Sequence, residues 1–228
     1  MKLLLDTANL EDIRYFNTYF PIEGVTTNPT ILAREGGDVI ALLKSIRQII
    51  GHDKELHLQV TETEYDRIIT EATALNALLG PNTFIKIPAT DVGLKATYTL
   101  SKMGIRITVT AVLSATQAML AANSGASYVA PYISRLENIC DDGVGCAADI
   151  VKIFAAGGSK TKVLAASFKT AKEVLDVAVI GCHAATIGSD IMRKLLSHTT
   201  TTTSIADFER DWQAAFGNTT LLSLLENK

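Results

Sequence analysis

Lys86 stands inside Thr83-Phe84-Ile85-Lys86-Ile87-Pro88, a β-rich run with apolar neighbours on both sides. A parallel strand covered on both faces would desolvate such a lysine, and burial lowers an amine's pKa. A neutral amine attacks carbonyls and can form a Schiff base. The alternative is a strand-end lysine that snorkels to solvent, since Pro88 follows two residues later. Lys162 opens its own run and reads as solvated. Asp6, after Leu3-Leu4-Leu5, either caps a helix over Leu10–Phe16 or faces Lys86, where it would favour the charged amine. In the second place it could also pass protons as a carbinolamine forms. Tyr132 after Pro131 is either a packed phenol or a general acid/base, and Arg135 is either a solvated group or a fork for a phosphate. Asn28 precedes Pro29 and can simply start a helix. Thr26, Gln59, Thr110 and Ser167 complete the polar residues at the ends of β-rich runs.

Other chemistries find little support. His52, His57, His183 and His198 lack metal-ligand spacing, and Cys140-x5-Cys146 has no accompanying histidines, so no metal site is expected. No G-x-S-x-G, G-x-G-x-x-G or P-loop occurs. Three cysteines are an odd number, which fits a reducing cytoplasm better than a disulfide framework. The net charge of −3 carries no basic stripe, so nucleic acid is not an expected partner. No apolar run approaches the roughly 18 residues of a membrane span. The apolar stretch at the N-terminus is three residues long and stops at Asp6, so it reads as a strand and not as a signal peptide.

The elements that must position these residues alternate. Strands are expected at Lys2–Thr7, Gly24–Thr27, Leu56–Val60, Thr83–Pro88, Arg106–Val112, Tyr128–Ile133, Lys162–Ser167 and Ala184–Ser189, with helical stretches between them. Val39–Ile50 and Tyr65–Leu79 carry apolar residues at helical spacing and end at Gly51 and Gly80. Asp91 can cap a helix to Met103, and Ser114 one over Ala115–Asn123. Eight such units predict a closed (β/α)8 barrel over residues 1–198. An open doubly wound sheet would carry a glycine-rich loop after its first strand, where this chain has Asp6-Thr7-Ala8-Asn9. In a barrel the strand-end residues converge on one mouth. Residues 199–228 are left over. Thr199–Thr203 reads as an extended linker of low helix propensity. Ser204 can then cap a helix over Ile205–Phe216, with Asp207 in a capping box. Its face of Ile205, Phe208, Trp212, Ala215 and Phe216 either folds back on the barrel or docks on a neighbouring subunit.

Five segments together resemble the transaldolase family of class I aldolases: Asp6-Thr7-Ala8-Asn9, Gly24-Val25-Thr26-Thr27-Asn28-Pro29-Thr30, Ile85-Lys86-Ile87-Pro88-Ala89-Thr90, Ala130-Pro131-Tyr132-Ile133-Ser134-Arg135 and Val163-Leu164-Ala165-Ala166-Ser167-Phe168-Lys169. The resemblance implies a (β/α)8 barrel, no cofactor and Lys86 as the Schiff-base lysine. It implies catalytic roles for Asp6, Gln59, Thr110 and Tyr132, and substrate binding by Thr26, Asn28, Arg135, Ser167 and, more weakly, Lys169. Gln59 and Tyr132 resemble the fructose-6-phosphate aldolase branch, because transaldolases usually carry glutamate and phenylalanine there. The expected partners are therefore a sugar phosphate and dihydroxyacetone. The alternative is transfer of a dihydroxyacetone unit between sugar phosphates, and a non-catalytic sugar-phosphate-binding barrel stands third. The resemblance also implies a homo-oligomer, a decamer of two pentamers with exchanged C-terminal helices.

Overall fold

The computed structural model describes residues 1–139 and 141–226; Cys140 lies outside them. Eight strands close into a barrel in chain order. They are β1 (Lys2–Asp6), β2 (Gly24–Thr26), β3 (Glu55–Gln59), β4 (Thr83–Pro88), β5 (Arg106–Val112), β6 (Tyr128–Pro131), β7 (Lys162–Ala165) and β8 (Ala184–Ile187). Every neighbouring pair is parallel, and β8 returns to β1. The outer layer is α1 (Leu10–Tyr19), α2 (Pro29–Glu35), α3 (Val39–Ile50), α4 (Tyr65–Leu79), α5 (Asp91–Lys102), α6 (Ala115–Asn123), α7 (Ile133–Glu137), α8 (Gly143–Ala156), α9 (Ala171–Val179) and α10 (Ser189–Leu196). The fold is the (β/α)8 barrel that the alternation predicts.

Local chemistry explains where the helices start. Asn9 caps α1 by accepting the Asp12 N–H, so Asp6 is released from the capping role and stays with the barrel. Asn28 caps α2 with Pro29 in the first turn, and Ser114 caps α6. The cap of α5 is Thr90 and not Asp91: its hydroxyl accepts the Gly93 N–H at 3.0 Å.

The large core lies between sheet and helices, with Leu5, Val25, Leu58, Ile85, Ile107 and Val163 facing Phe16, Ile46, Ala72, Leu100 and Ile150. A second, smaller cluster fills the barrel itself: Leu4, Phe84, Tyr128, Leu164 and Ala184, from five different strands. Each large apolar side chain buried this way contributes about 1.5–3 kcal/mol. Below that layer the barrel is plugged by charge. Lys2 Nζ donates to Glu55 Oε1 at 2.7 Å, Tyr128 donates to the same oxygen at 3.2 Å, and His57 Nε2 lies 3.2 Å from Glu55 Oε2. Burial alone would raise the Glu55 carboxyl, but hydrogen bonds from His57 and Lys2 outweigh it and hold it at about 2.

The chain divides into two units, Met1–Met192 and Arg193–Lys228, with the boundary inside α10. The second unit contains α11 (Thr199–Phe216) and α12 (Leu221–Glu226). Thr199–Thr203 are therefore not an extended linker but the opening turns of α11. His198 is the cap, its Nδ1 accepting from Thr200, and Ser204 lies within the helix. Threonine's helix penalty is below about 0.7 kcal/mol per residue, and the Thr203 hydroxyl is satisfied by donating to the Thr200 carbonyl at 3.0 Å. Within this unit Trp212 stacks near Phe216 (4.6 Å) and donates to the Thr219 carbonyl at 2.6 Å. No residue of α11 is buried, and Phe208 is 70% exposed. Among the described residues no helix is long and apolar enough to cross a membrane.

Gly93 shows how tightly α5 is seated. A Cβ added there would meet the Pro88 carbonyl oxygen at 2.1 Å, a backbone atom at the end of β4. Gly93→Ala is expected to destabilise the protein by about 1–3 kcal/mol, read as a lower midpoint in urea with an unchanged slope.

Candidate active site

Strand register brings the predicted residues to one level at the C-terminal end of the barrel. Asp6 pairs with Thr26, Gln59 with Lys86, and Pro88 with Thr110, while Tyr132 bridges to Ala166 just beyond β6 and β7. The result is a cavity of about 910 Å³ lined by Asp6, Asn28, Gln59, Tyr132, Arg135 and Ser167, among others.

Lys86 lies within the barrel at this end, only 6% exposed, so the snorkelling alternative does not hold. Its Nζ donates to the Thr27 carbonyl at 2.8 Å. Burial pushes the ammonium below the usual lysine range, and the Asp6 carboxylate pulls it partly back. Asp6 Oδ1 accepts from the Thr26 hydroxyl at 2.5 Å. On the other side of the mouth the Tyr132 hydroxyl lies 3.2 Å from Thr110 Oγ1.

Two residues near this level depart from ordinary backbone. Ala111, next to Thr110, has φ +54° where the β5–β6 register shifts between Val109 and Val112, as in a bulge. Ser167 has φ +64°, a left-handed conformation that side chains adopt at a cost of about 1–3 kcal/mol. It is held there by hydrogen bonds that involve α7 and the start of α9. The Ser134 N–H donates to the Ser167 carbonyl at 2.8 Å, and Glu173 accepts from the Ser134 hydroxyl and from the Lys169 and Thr170 N–H groups. Arg135, in α7, carries its guanidinium 5.8 Å from the centre of the Tyr132 ring.

Thr26, Lys86 and Thr110 stand at the strand ends but not in the cavity lining, and Lys169 falls outside the group. Lys169 does not line the cavity; its Nζ donates to Asn138 Oδ1 at 3.1 Å. The spacing from Ser167 is right, but the chain turns after the left-handed serine and aims the lysine along the surface. Conversely, Arg34, Thr186 and Asp190 line the cavity without having been singled out. Thr186 carried a usable signal, a lone polar residue in Ala184-Ala185-Thr186-Ile187. Arg34 carried none, since it reads as an ordinary last-turn cation of α2. A separate cavity of about 540 Å³ lies at the opposite end, beside Glu55, Arg106, Tyr128 and Lys162 at the strand starts, and shares no residue with the mouth.

A closed (β/α)8 barrel with a buried lysine beneath a mouth of carboxylate, amide, phenol and guanidinium belongs to the enzyme barrels whose chemistry sits at the strand ends. The chain belongs to the family described as Transaldolase/Fructose-6-phosphate aldolase, which matches residues 3–224. It is 40% identical over 214 residues to a probable transaldolase of Methanococcus maripaludis, covering 94% of this chain and 98% of that one. It is 41% identical over 213 residues to a probable transaldolase of Moorella thermoacetica, covering 93% and 98%. Among solved structures, a flavocytochrome b2 mutant with benzoylformate superposes with a TM-score of 0.60 at 13% identity, over 82% of this chain and 57% of that one. That likeness concerns the barrel fold alone.

The buried amine makes a stability prediction. A lysine whose folded pKa lies below its unfolded one costs stability at low pH, and the cost fades as pH rises from the folded value to the ordinary one. Lys86→Met should therefore raise the melting temperature at neutral pH. The gain should shrink as the pH is raised through the alkaline range. A gain that does not change with pH would show that packing, not desolvation, is responsible.

Proposed function

We propose that the protein is a class I aldolase that cleaves fructose 6-phosphate into dihydroxyacetone and glyceraldehyde 3-phosphate and runs the same reaction in reverse. The observation that carries this reading is an amine of lowered basicity buried beneath a polar cavity, with Asp6 on one side and the Tyr132–Thr110 pair on the other. In this reading the neutral amine of Lys86 attacks the ketone carbon, and Asp6 moves the protons that let water leave. The resulting iminium withdraws the electron pair of the adjacent carbon–carbon bond as that bond breaks. The hydroxyl on the departing carbon passes its proton to the Asp6 carboxylate and becomes the aldehyde. The enamine left on Lys86 takes a proton from Tyr132 through a water held by Gln59 and Thr110, and hydrolysis frees dihydroxyacetone. Thr26 and Asn28 bind the three-carbon unit, and Arg135 with Ser167 binds the phosphate.

The second reading is transfer, in which the enamine attacks another aldehyde in place of being protonated. The names of the relatives favour it, since those at 40% and 41% identity are called probable transaldolases. The Tyr132 phenol favours release, because it supplies a proton that a phenylalanine could not. Fructose 6-phosphate offered alone separates the two: release yields glyceraldehyde 3-phosphate without an acceptor, whereas transfer yields product only when a second aldose phosphate is added.

Two predictions follow from the assignment of roles. Borohydride added with dihydroxyacetone should inactivate the protein and add mass to the peptide holding Lys86. Activity surviving in Lys86→Ala, or a label on another lysine, would sink the imine. Charge-assisted hydrogen bonds are worth about 1.5–3 kcal/mol, so Arg135→Ala should raise KM for fructose 6-phosphate by about tenfold or more. Reaction with an unphosphorylated aldehyde should change little, and an equal loss on both substrates would make Arg135 structural.

A further inference from the structure

Thr186 projects from the middle of β8 into the barrel, 4% exposed, and no role has so far been given to it. Its Oγ1 lies 2.6 Å from Thr26 Oγ1 on β2. These strands are not neighbours; β1 lies between them, so the contact crosses the barrel interior in front of β1. Thr26 is also 2.5 Å from Asp6 Oδ1, and Asp6 is the last residue of β1. One polar line therefore ties three successive strands together at the level of the mouth.

The direction of each bond follows from the inventory of donors. A carboxylate only accepts, so the bond to Asp6 takes the single hydroxyl proton of Thr26. Thr26 then has only lone pairs to offer to Thr186, and Thr186 must be the donor. The order is Thr186 to Thr26 to Asp6. Two consequences follow. The Thr26 hydroxyl cannot rotate away from Asp6 without losing two bonds at once. Donation into its oxygen also strengthens its own donation to the carboxylate, since hydrogen bonds in series polarise one another. Asp6 Oδ1 is thus held by a hydroxyl that is itself held by Thr186.

We infer that Thr186 is a positioning residue for the aldol chemistry. Acting through Thr26, it fixes Asp6 so that a single carboxylate oxygen handles the protons of carbinolamine and imine formation at Lys86. The inference rests on the reading of Lys86 and Asp6 given above. It adds a residue from β8 that lines the cavity and bonds to Thr26.

The test uses Thr186→Val, which keeps the branched shape and deletes the hydroxyl, and Thr186→Ser, which keeps the hydroxyl. Imine formation is read as the rate at which borohydride traps dihydroxyacetone on the intact protein, alongside kcat and KM for fructose 6-phosphate. In Thr186→Val, both the trapping rate and kcat should fall by about tenfold, the worth of one hydrogen bond at the transition state. KM, set largely at Arg135, should stay within about twofold. Thr186→Ser should recover most of both rates. Wild-type rates in the valine variant would overturn the inference. So would a serine variant as slow as the valine one, which would mean that shape and not the hydroxyl matters. Failure of the underlying reading would look different: the wild-type protein would trap nothing at Lys86, and the inference would fall with it.

Discussion

The structure turns on removing one amine from water. Lys86 is held inside the barrel, its Nζ donating to the Thr27 carbonyl. A charged amine is poorly served there, and that lowers its basicity. The opposing pull of Asp6 keeps the balance from running to one side, since a carboxylate close to the amine stabilises its charged form. Much of the barrel serves this balance. The apolar layer of Leu4, Phe84, Tyr128, Leu164 and Ala184 closes the interior below. Register sets Gln59 beside Lys86, and Asp6 beside Thr26.

Charge is kept away from that layer by being gathered at the other end. Glu55 holds Lys2, Tyr128 and His57 in one cluster, and the His57 ring stacks on Phe84 at 4.5 Å. Burial pushes the His57 imidazolium down, and the Glu55 carboxylate only partly opposes it. With Glu55 accepting at Nε2, a neutral ring carries its proton on that nitrogen and leaves Nδ1 to accept from Thr108, 2.8 Å away. Thr108 is the register partner of Lys86, so this bond network reaches the strand position beside the catalytic level. At this end of the barrel the imidazole, the carboxylate and the hydroxyls of Thr108 and Tyr128 thus meet one another's hydrogen-bonding needs.

The barrel is legible because period and punctuation agree: short β-rich runs, and helical spacing in Val39–Ile50 and Tyr65–Leu79 with Gly51 and Gly80 just after them. Strand ends were less legible. Ile133 and Ser189 were expected in strands but begin helices, because β-rich composition continues past the last ladder bond. The polar residues at strand ends converge as the barrel rule requires, yet Lys169 does not. Its direction depends on the left-handed backbone of Ser167, which no residue type announces. The threonines of α11 were misread for a related reason. Propensity is a small bias per residue, and hydroxyl bonds back to the helix's own carbonyls can absorb it.

The bulge at Ala111 makes β5 an indexing element. Thr110 is paired to Pro88 on one side, while Val112 is paired to Pro131 on the other, so one extra residue is absorbed between the two neighbours. Side chains alternate faces along a strand, and the inward Thr110 and outward Val112 keep that order with Ala111 set between them as the extra residue. Removing Ala111 would place Val112 directly after Thr110, still on the helix side and still opposite Pro131, but would take away the added twist that the bulge gives β5 where it ends at the mouth. The extra residue therefore sets the angle at which β5 delivers Thr110 to Tyr132, while the order of its two faces is left as it was.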